Sequence, residues 1–122
     1  MSKPYALLSF LWAVVIFLFS TLRVSPPEVL HFALSDKLVH FAEFAVFALL
    51  LYKAFIHSPK SAIVKHATVF CFVIAIAYGA ALELLQGLLS YRECSIADFI
   101  ADFAGVFVVT AYMRWEYVRE KS

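Results

Sequence analysis

In a chain of 122 residues that is 64% hydrophobic and 16% charged, a few ionisable side chains recur at helical spacing. Asp36, His40 and Glu43 stand at i, i+4 and i+7, so on a helix they fall along one stripe that is expected to face inward. Glu83 and Gln86 follow Ala75 and Gly79 at intervals of four, four and three. A face of small residues that permits close helix contact therefore leads directly into an acid and an amide. Asp98 and Asp102 lead to Gly105 in the same way, and Lys37 and Arg92 are the nearest basic side chains in the sequence.

Such a set supports several chemistries. Clustered carboxylates in a low-dielectric site tend to share a proton, which leaves an acid and a base side by side, and neutral His40 can serve the same role near pH 7. The expected catalytic group is His40, Glu83, Asp98 and Asp102, acting by general acid–base transfer. Asp36, Lys37, Gln86 and Arg92 are the expected ligand-binding residues, with the two cations holding an anionic headgroup. A purely structural network that neutralises itself and fixes helix packing is the competing reading. Asp36 and Asp98 also suit the first turn of a helix, where capping or the helix dipole explains an acid without any catalytic role. Carboxylate oxygens can hold a hard cation, but there is no H-E-x-x-H pair and no Cys/His cluster, so no metal and no cofactor is assigned. Ser90 and Ser95 lack a nucleophile-elbow pattern, and His31, His57 and His66 read as loop or interface residues.

The elements that must position these groups follow from hydropathy. Apolar runs over residues 5–22, 38–55, 63–85 and 96–113 each have about the length a bilayer requires, and charges, prolines or the polar stretch 90–95 separate them. Lipid requires backbone groups to be satisfied internally, and the runs lack two-residue alternation, so the expected fold is all-α, a membrane-embedded bundle of four transmembrane helices in one domain spanning 1–122. The first run is expected to be an uncleaved anchor, since only Lys3 precedes it as a basic residue and no small-x-small cleavage site follows. Four spans put both termini on one side with Lys3, Lys53, Lys60, Lys65, Arg114, Arg119 and Lys121, against Arg23, Lys37 and Arg92 on the other. The positive-inside rule then places both termini in the cytoplasm. Acidic residues run the opposite way: seven, Glu28, Asp36, Glu43, Glu83, Glu93, Asp98 and Asp102, fall on or near the outer side. Solvated loops explain Glu28 and Glu93 but not carboxylates within helices, where an ionisable group points to function by default.

Composition sets the remaining bounds. A mean hydropathy of +0.87 is far above what one soluble core of this size can hide. The formal net charge of +1, with no clustered basic face, argues against a nucleic-acid partner. Cys71 lies in an apolar run and Cys94 in a polar loop, so no internal disulfide is expected.

The ordered motifs resemble the VanZ-like family of small bacterial membrane proteins, named after a protein associated with teicoplanin resistance. Asp36-Lys37-x-x-His40-Phe41-x-x-Phe44 is similar to that family's D-K-x-x-H-F block. Glu83 and Gln86 are similar to its E-x-x-Q block, followed by Arg92, Asp98 and the downstream Gly105. The likeness covers residues 36–105, and it departs at Asp102, where the family usually carries Asn. The resemblance implies a bacterial inner-membrane protein of the cell envelope, with four helices and an outward-facing polar site, and a link to antibiotic resistance. It supplies no reaction.

The leading functional expectation is binding or modification of an amphiphilic ligand, such as a lipoglycopeptide or a lipid-linked precursor, at the outer leaflet. A structural or interaction subunit is the alternative. A proton or ion pathway ranks below both, because the polar groups sit at one end of the helices only. Oligomeric state does not follow from the sequence.

Overall fold

The computed structural model describes residues 3–21, 33–89 and 96–121, and their side chains except those of residues 33–36. Asp36 is thus placed by its backbone alone, and Arg92 lies outside the described residues. Five helices and no strand occur among the described residues: α1 (Lys3–Thr21), α2 (Ala33–Ile56), α3 (Ser61–Lys65), α4 (Ala67–Leu88) and α5 (Ile96–Lys121). All but α3 are long and apolar enough to cross a membrane, so the chain is an all-α bundle of four candidate spans and a multi-pass membrane protein.

The distribution of side chains is the inverse of a soluble bundle. Leu7, Phe10, Phe17, Val73, Ile100 and Phe107 are exposed, whereas Ser9, Ser20, Glu83, Gln86, Asp102 and Thr110 are buried. An apolar surface of that extent is stable only against lipid. Inside, hydroxyls are satisfied within their own helices: Ser9 Oγ donates to the Tyr5 carbonyl at 2.8 Å and Thr110 Oγ1 to that of Val106 at 2.9 Å.

Helix α2 is the hub, pairing most extensively with α5 and also with α1 and α4. Small residues set these approaches. A Cβ at Gly105 would run into the Phe41 carbonyl and lie 3.1 Å from the Ala45 nitrogen, so α5 meets the backbone of α2 there. On α4 the buried face is Ala67, Cys71, Ala75, Gly79, Leu82, Glu83 and Gln86, recurring about once per turn. Cys71 Sγ donates to the Ala48 carbonyl at 3.0 Å, which ties that face to α2. Long side chains hold α1: Trp12 Nε1 donates to the Glu43 carbonyl at 2.8 Å, the Tyr78 hydroxyl donates to the Ala13 carbonyl, and Gln86 of α4 donates to the Ser20 carbonyl.

The helix bounds differ from the spans read from the sequence, α2 beginning at Ala33 and not at residue 38, and two of the differences stand out. The third span does not start at Ile63: the chain makes the single turn of α3, breaks at His66 (φ −110°, ψ 19°), and enters α4 at Ala67, which runs on to Leu88. Lys65 and His66 are both exposed and interrupt the apolar run, so the buried face begins only after them. Helix α5 continues past residue 113 to Lys121 without a break. At about 1.5 Å per residue its 26 residues extend about 39 Å, longer than a hydrocarbon core of about 30 Å.

Candidate functional site

Helices α2 and α5 start from the same end of the bundle and α4 finishes there, which gathers their polar residues. Asp98 and Asp102, one turn apart on α5, both address His40 of α2. His40 Nδ1 is 2.9 Å from Asp102 Oδ1, a hydrogen bond, and Nε2 is 3.6 Å from Asp98 Oδ2, an electrostatic contact beyond hydrogen-bonding reach. Lys37, one turn before His40, forms an ion pair with the other Asp98 oxygen. Glu83 completes the group from α4: one donor atom each from His40, Glu83 and Asp102 lie within 4.8 Å of one another. Asp102 is 2% exposed and Glu83 5%, so these acids are inside the bundle.

Gly79 lies beneath this arrangement: a Cβ there would stand 3.2 Å from the Phe44 ring, a tight approach, and 3.5 Å from Asp102 Oδ2, an ordinary contact, so the bare backbone chiefly lets the Phe44 ring lie against α4. Toward the opposite end the buried core is apolar, built on Phe44, Phe47, Ala48, Leu51 and Val106. Phe44 and Phe47 meet edge-to-face with centroids 6.1 Å apart, and Tyr78 packs against both.

The sequence-derived residues therefore separate. His40, Glu83, Asp98, Asp102 and Lys37 come together. Gln86, buried on the same face of α4, reaches α1 instead, where Nε2 donates to the Ser20 carbonyl at 3.0 Å. Its Oε1 is buried and has no hydrogen-bond partner among the described residues. The Asp36 side chain and Arg92 lie outside the described residues. The four-residue spacing to Glu83 already marks Gly79 in the sequence, whereas Trp12 is a contributor that sequence reading did not assign, since nothing in the sequence pairs it with the Glu43 carbonyl.

Chemically, an imidazole hydrogen-bonded to a buried carboxylate is the usual arrangement of an oriented base, because the carboxylate fixes ring rotation and tautomer. Glu83 is a second proton-exchanging group beside it. The same three side chains offer one nitrogen and two carboxylate oxygens, a donor set that suits a first-row divalent ion. Asp98 would then stand behind the imidazole as an outer-shell carboxylate. Lys37, with one third of its side chain exposed, presents the charge nearest to solvent.

Fold and site together define a polytopic helical membrane protein with a buried histidine–carboxylate centre at one end. No protein-family model, curated protein or solved structure matches the chain.

Proposed function

We propose that this is a VanZ-like protein of the bacterial inner membrane, with both termini cytoplasmic, that binds or modifies an amphiphilic ligand at the outer leaflet. The observation that carries this reading is the His40–Asp102 hydrogen bond with Glu83 beside it, in a bundle whose lipid-facing surface is otherwise apolar. A ligand with acyl chains reaches such a centre from the bilayer, and its polar head meets Lys37, the partly exposed cation of the group. A lipoglycopeptide antibiotic or a lipid-linked envelope precursor has that form, which is also what links the reading to antibiotic resistance. For a modifying activity, the His40–Asp102 pair takes the proton from the attacking group and Glu83 returns one to the leaving group.

The test uses the purified chain in nanodiscs, with teicoplanin and an undecaprenyl-linked precursor as probes and a glycopeptide lacking an acyl chain as control. Saturable binding of an acylated probe, weakened about tenfold by Lys37→Met, is the expected result. If turnover is seen, Glu83→Gln and Asp102→Asn should abolish it and retain binding; intact turnover in both ends the acid–base part. Absence of saturable binding to either acylated probe ends the proposal.

A structural role is the second reading, favoured by the fact that the Lys37–Asp98 and His40–Asp102 contacts both join α2 to α5. It differs in outcome: cluster substitutions would lower the amount of folded protein and any phenotype in parallel, with no variant that folds and fails to function.

A further inference from the structure

At the end of the bundle away from His40, the turn after α2, helix α3 and the last two turns of α5 surround an open hollow of about 660 Å³. Ser58, Ser61, Lys65, Arg114, Tyr117 and Lys121 line it with a few small apolar residues, and none of its lining residues is acidic. We infer that this hollow is a binding site for the phosphate headgroup of an anionic membrane lipid.

Three observations support it. First, the cations come from separate elements, Lys65 from α3 and Arg114 and Lys121 from α5, yet they border one space. Like charges gathered around one space make it locally positive, which favours an anion between them. Second, the cations on α5 are ordered around an aromatic ring. Arg114, Tyr117 and Lys121 fall at i, i+3 and i+7, and Tyr117 carries the Arg114 guanidinium 5.9 Å and the Lys121 ammonium 5.5 Å from its centroid. The acids of this tail occupy the neighbouring stripe, where Glu116 pairs with Arg119 at 3.4 Å. Third, the depth fits a headgroup. Helix α5 outlasts the hydrocarbon core by about 9 Å, so roughly its last six residues reach the level of the lipid phosphates, and Arg114, just below them beside the exposed rings of Tyr112 and Trp115, can extend its guanidinium to that level. A hollow of this volume falls within the range of about 300–1,000 Å³ for small-ligand sites. Guanidinium and ammonium groups with hydroxyls beside them are the donors that phosphate oxygens use.

The experiment uses the full chain in mild detergent, with native mass spectrometry reading bound lipid. Phosphatidylglycerol and cardiolipin are compared with phosphatidylcholine, and inorganic phosphate is added as competitor. The wild type should retain the anionic lipids at least about tenfold over phosphatidylcholine, and each of Lys65→Gln, Arg114→Gln and Lys121→Gln should lower that preference about fivefold. Arg119→Gln, which removes a cation outside the hollow, should leave it unchanged. All four positions are exposed, so these variants keep the fold, which circular dichroism verifies. Equal retention of anionic and zwitterionic lipid by the wild type, or an undiminished preference in the three hollow variants, overturns the inference. So does displacement of phosphatidylglycerol by millimolar inorganic phosphate, which would make the site one for free phosphate.

Discussion

His40 on α2 and Asp102 on α5 share a hydrogen bond of 2.9 Å, although the two residues are 62 positions apart and Asp102 is almost wholly buried. Placing an acid there is tolerable only because a polar partner is fixed opposite it, and removing one member of such a pair strands the other.

The two halves of that cost are separable. Asp102→Ala should lower unfolding stability by about 3 kcal/mol, since His40 loses its main contact and a cavity opens beside Gly79. Asp102→Asn keeps the shape and a hydrogen bond to the ring, and should cost about 1 kcal/mol. Reversible denaturant unfolding of purified protein in mixed micelles measures both. A wild-type midpoint for the alanine variant would mean that the pair contributes nothing to the folded bundle.

The glycines of the two crossings should differ in how far they tolerate a methyl group. At Gly105 the added carbon meets the Phe41 carbonyl, which is backbone and cannot turn aside, so α2 and α5 must separate. At Gly79 the nearest atom is the edge of the Phe44 ring at 3.2 Å, which needs to shift only a few tenths of an ångström. Overpacking of a tight interface costs about 1–3 kcal/mol. Gly105→Ala is expected at or above the top of that range, and Gly79→Ala near its foot. Thermal unfolding in one detergent gives the order, and the reverse order would show that α5 does not approach α2 most closely at Gly105.

The sequence made most of this end of the bundle legible, for a physical reason. Lipid removes the usual motive for burying apolar residues, so Glu83, Asp102 and the glycines at four-residue spacing mark the inward face as clearly as a leucine stripe does in water. The same logic puts Gln86 inside but does not choose its neighbour, because spacing fixes a face and not which helix that face meets: its amide donates to Ser20 on α1. Boundaries were less legible. The run from residue 63 is apolar on either side of Lys65 and His66, and hydropathy averaged over a span does not register a one-residue break in helix geometry. The basic hollow was counted only as orienting charge, since its shape depends on α3 and α5 meeting in space.

Orientation gives a prediction that does not depend on ligand. In the proposed orientation, with both termini cytoplasmic, the end carrying His40 would face outward and the end carrying Lys60 inward. In a background with Cys71→Ala and Cys94→Ser, Leu89→Cys should react with a membrane-impermeant maleimide on intact cells. Lys60→Cys, at an exposed turn, should react only after lysis. The opposite pattern would put the histidine–carboxylate centre on the cytosolic side and remove outer-leaflet ligands from consideration.

Whether the centre works with a proton or a metal can be argued from the distance between His40 and Asp102. Two ligands of one first-row ion, each about 2.1 Å from it, are held about 3–4 Å apart by the ion between them. At 2.9 Å, Nδ1 and Oδ1 are spaced as donor and acceptor of a shared proton. One donor atom each from His40, Glu83 and Asp102 lie within 4.8 Å of one another, a looser spacing than the ligands of a single ion have, so a cation would have to draw the three side chains together. Purified protein should therefore hold substoichiometric metal by elemental analysis, and neither EDTA nor added zinc or manganese should move the unfolding midpoint. A zinc-dependent rise of several degrees, lost in both His40→Ala and Asp102→Asn, would instead make this trio a ligand set and replace proton transfer with metal-assisted chemistry.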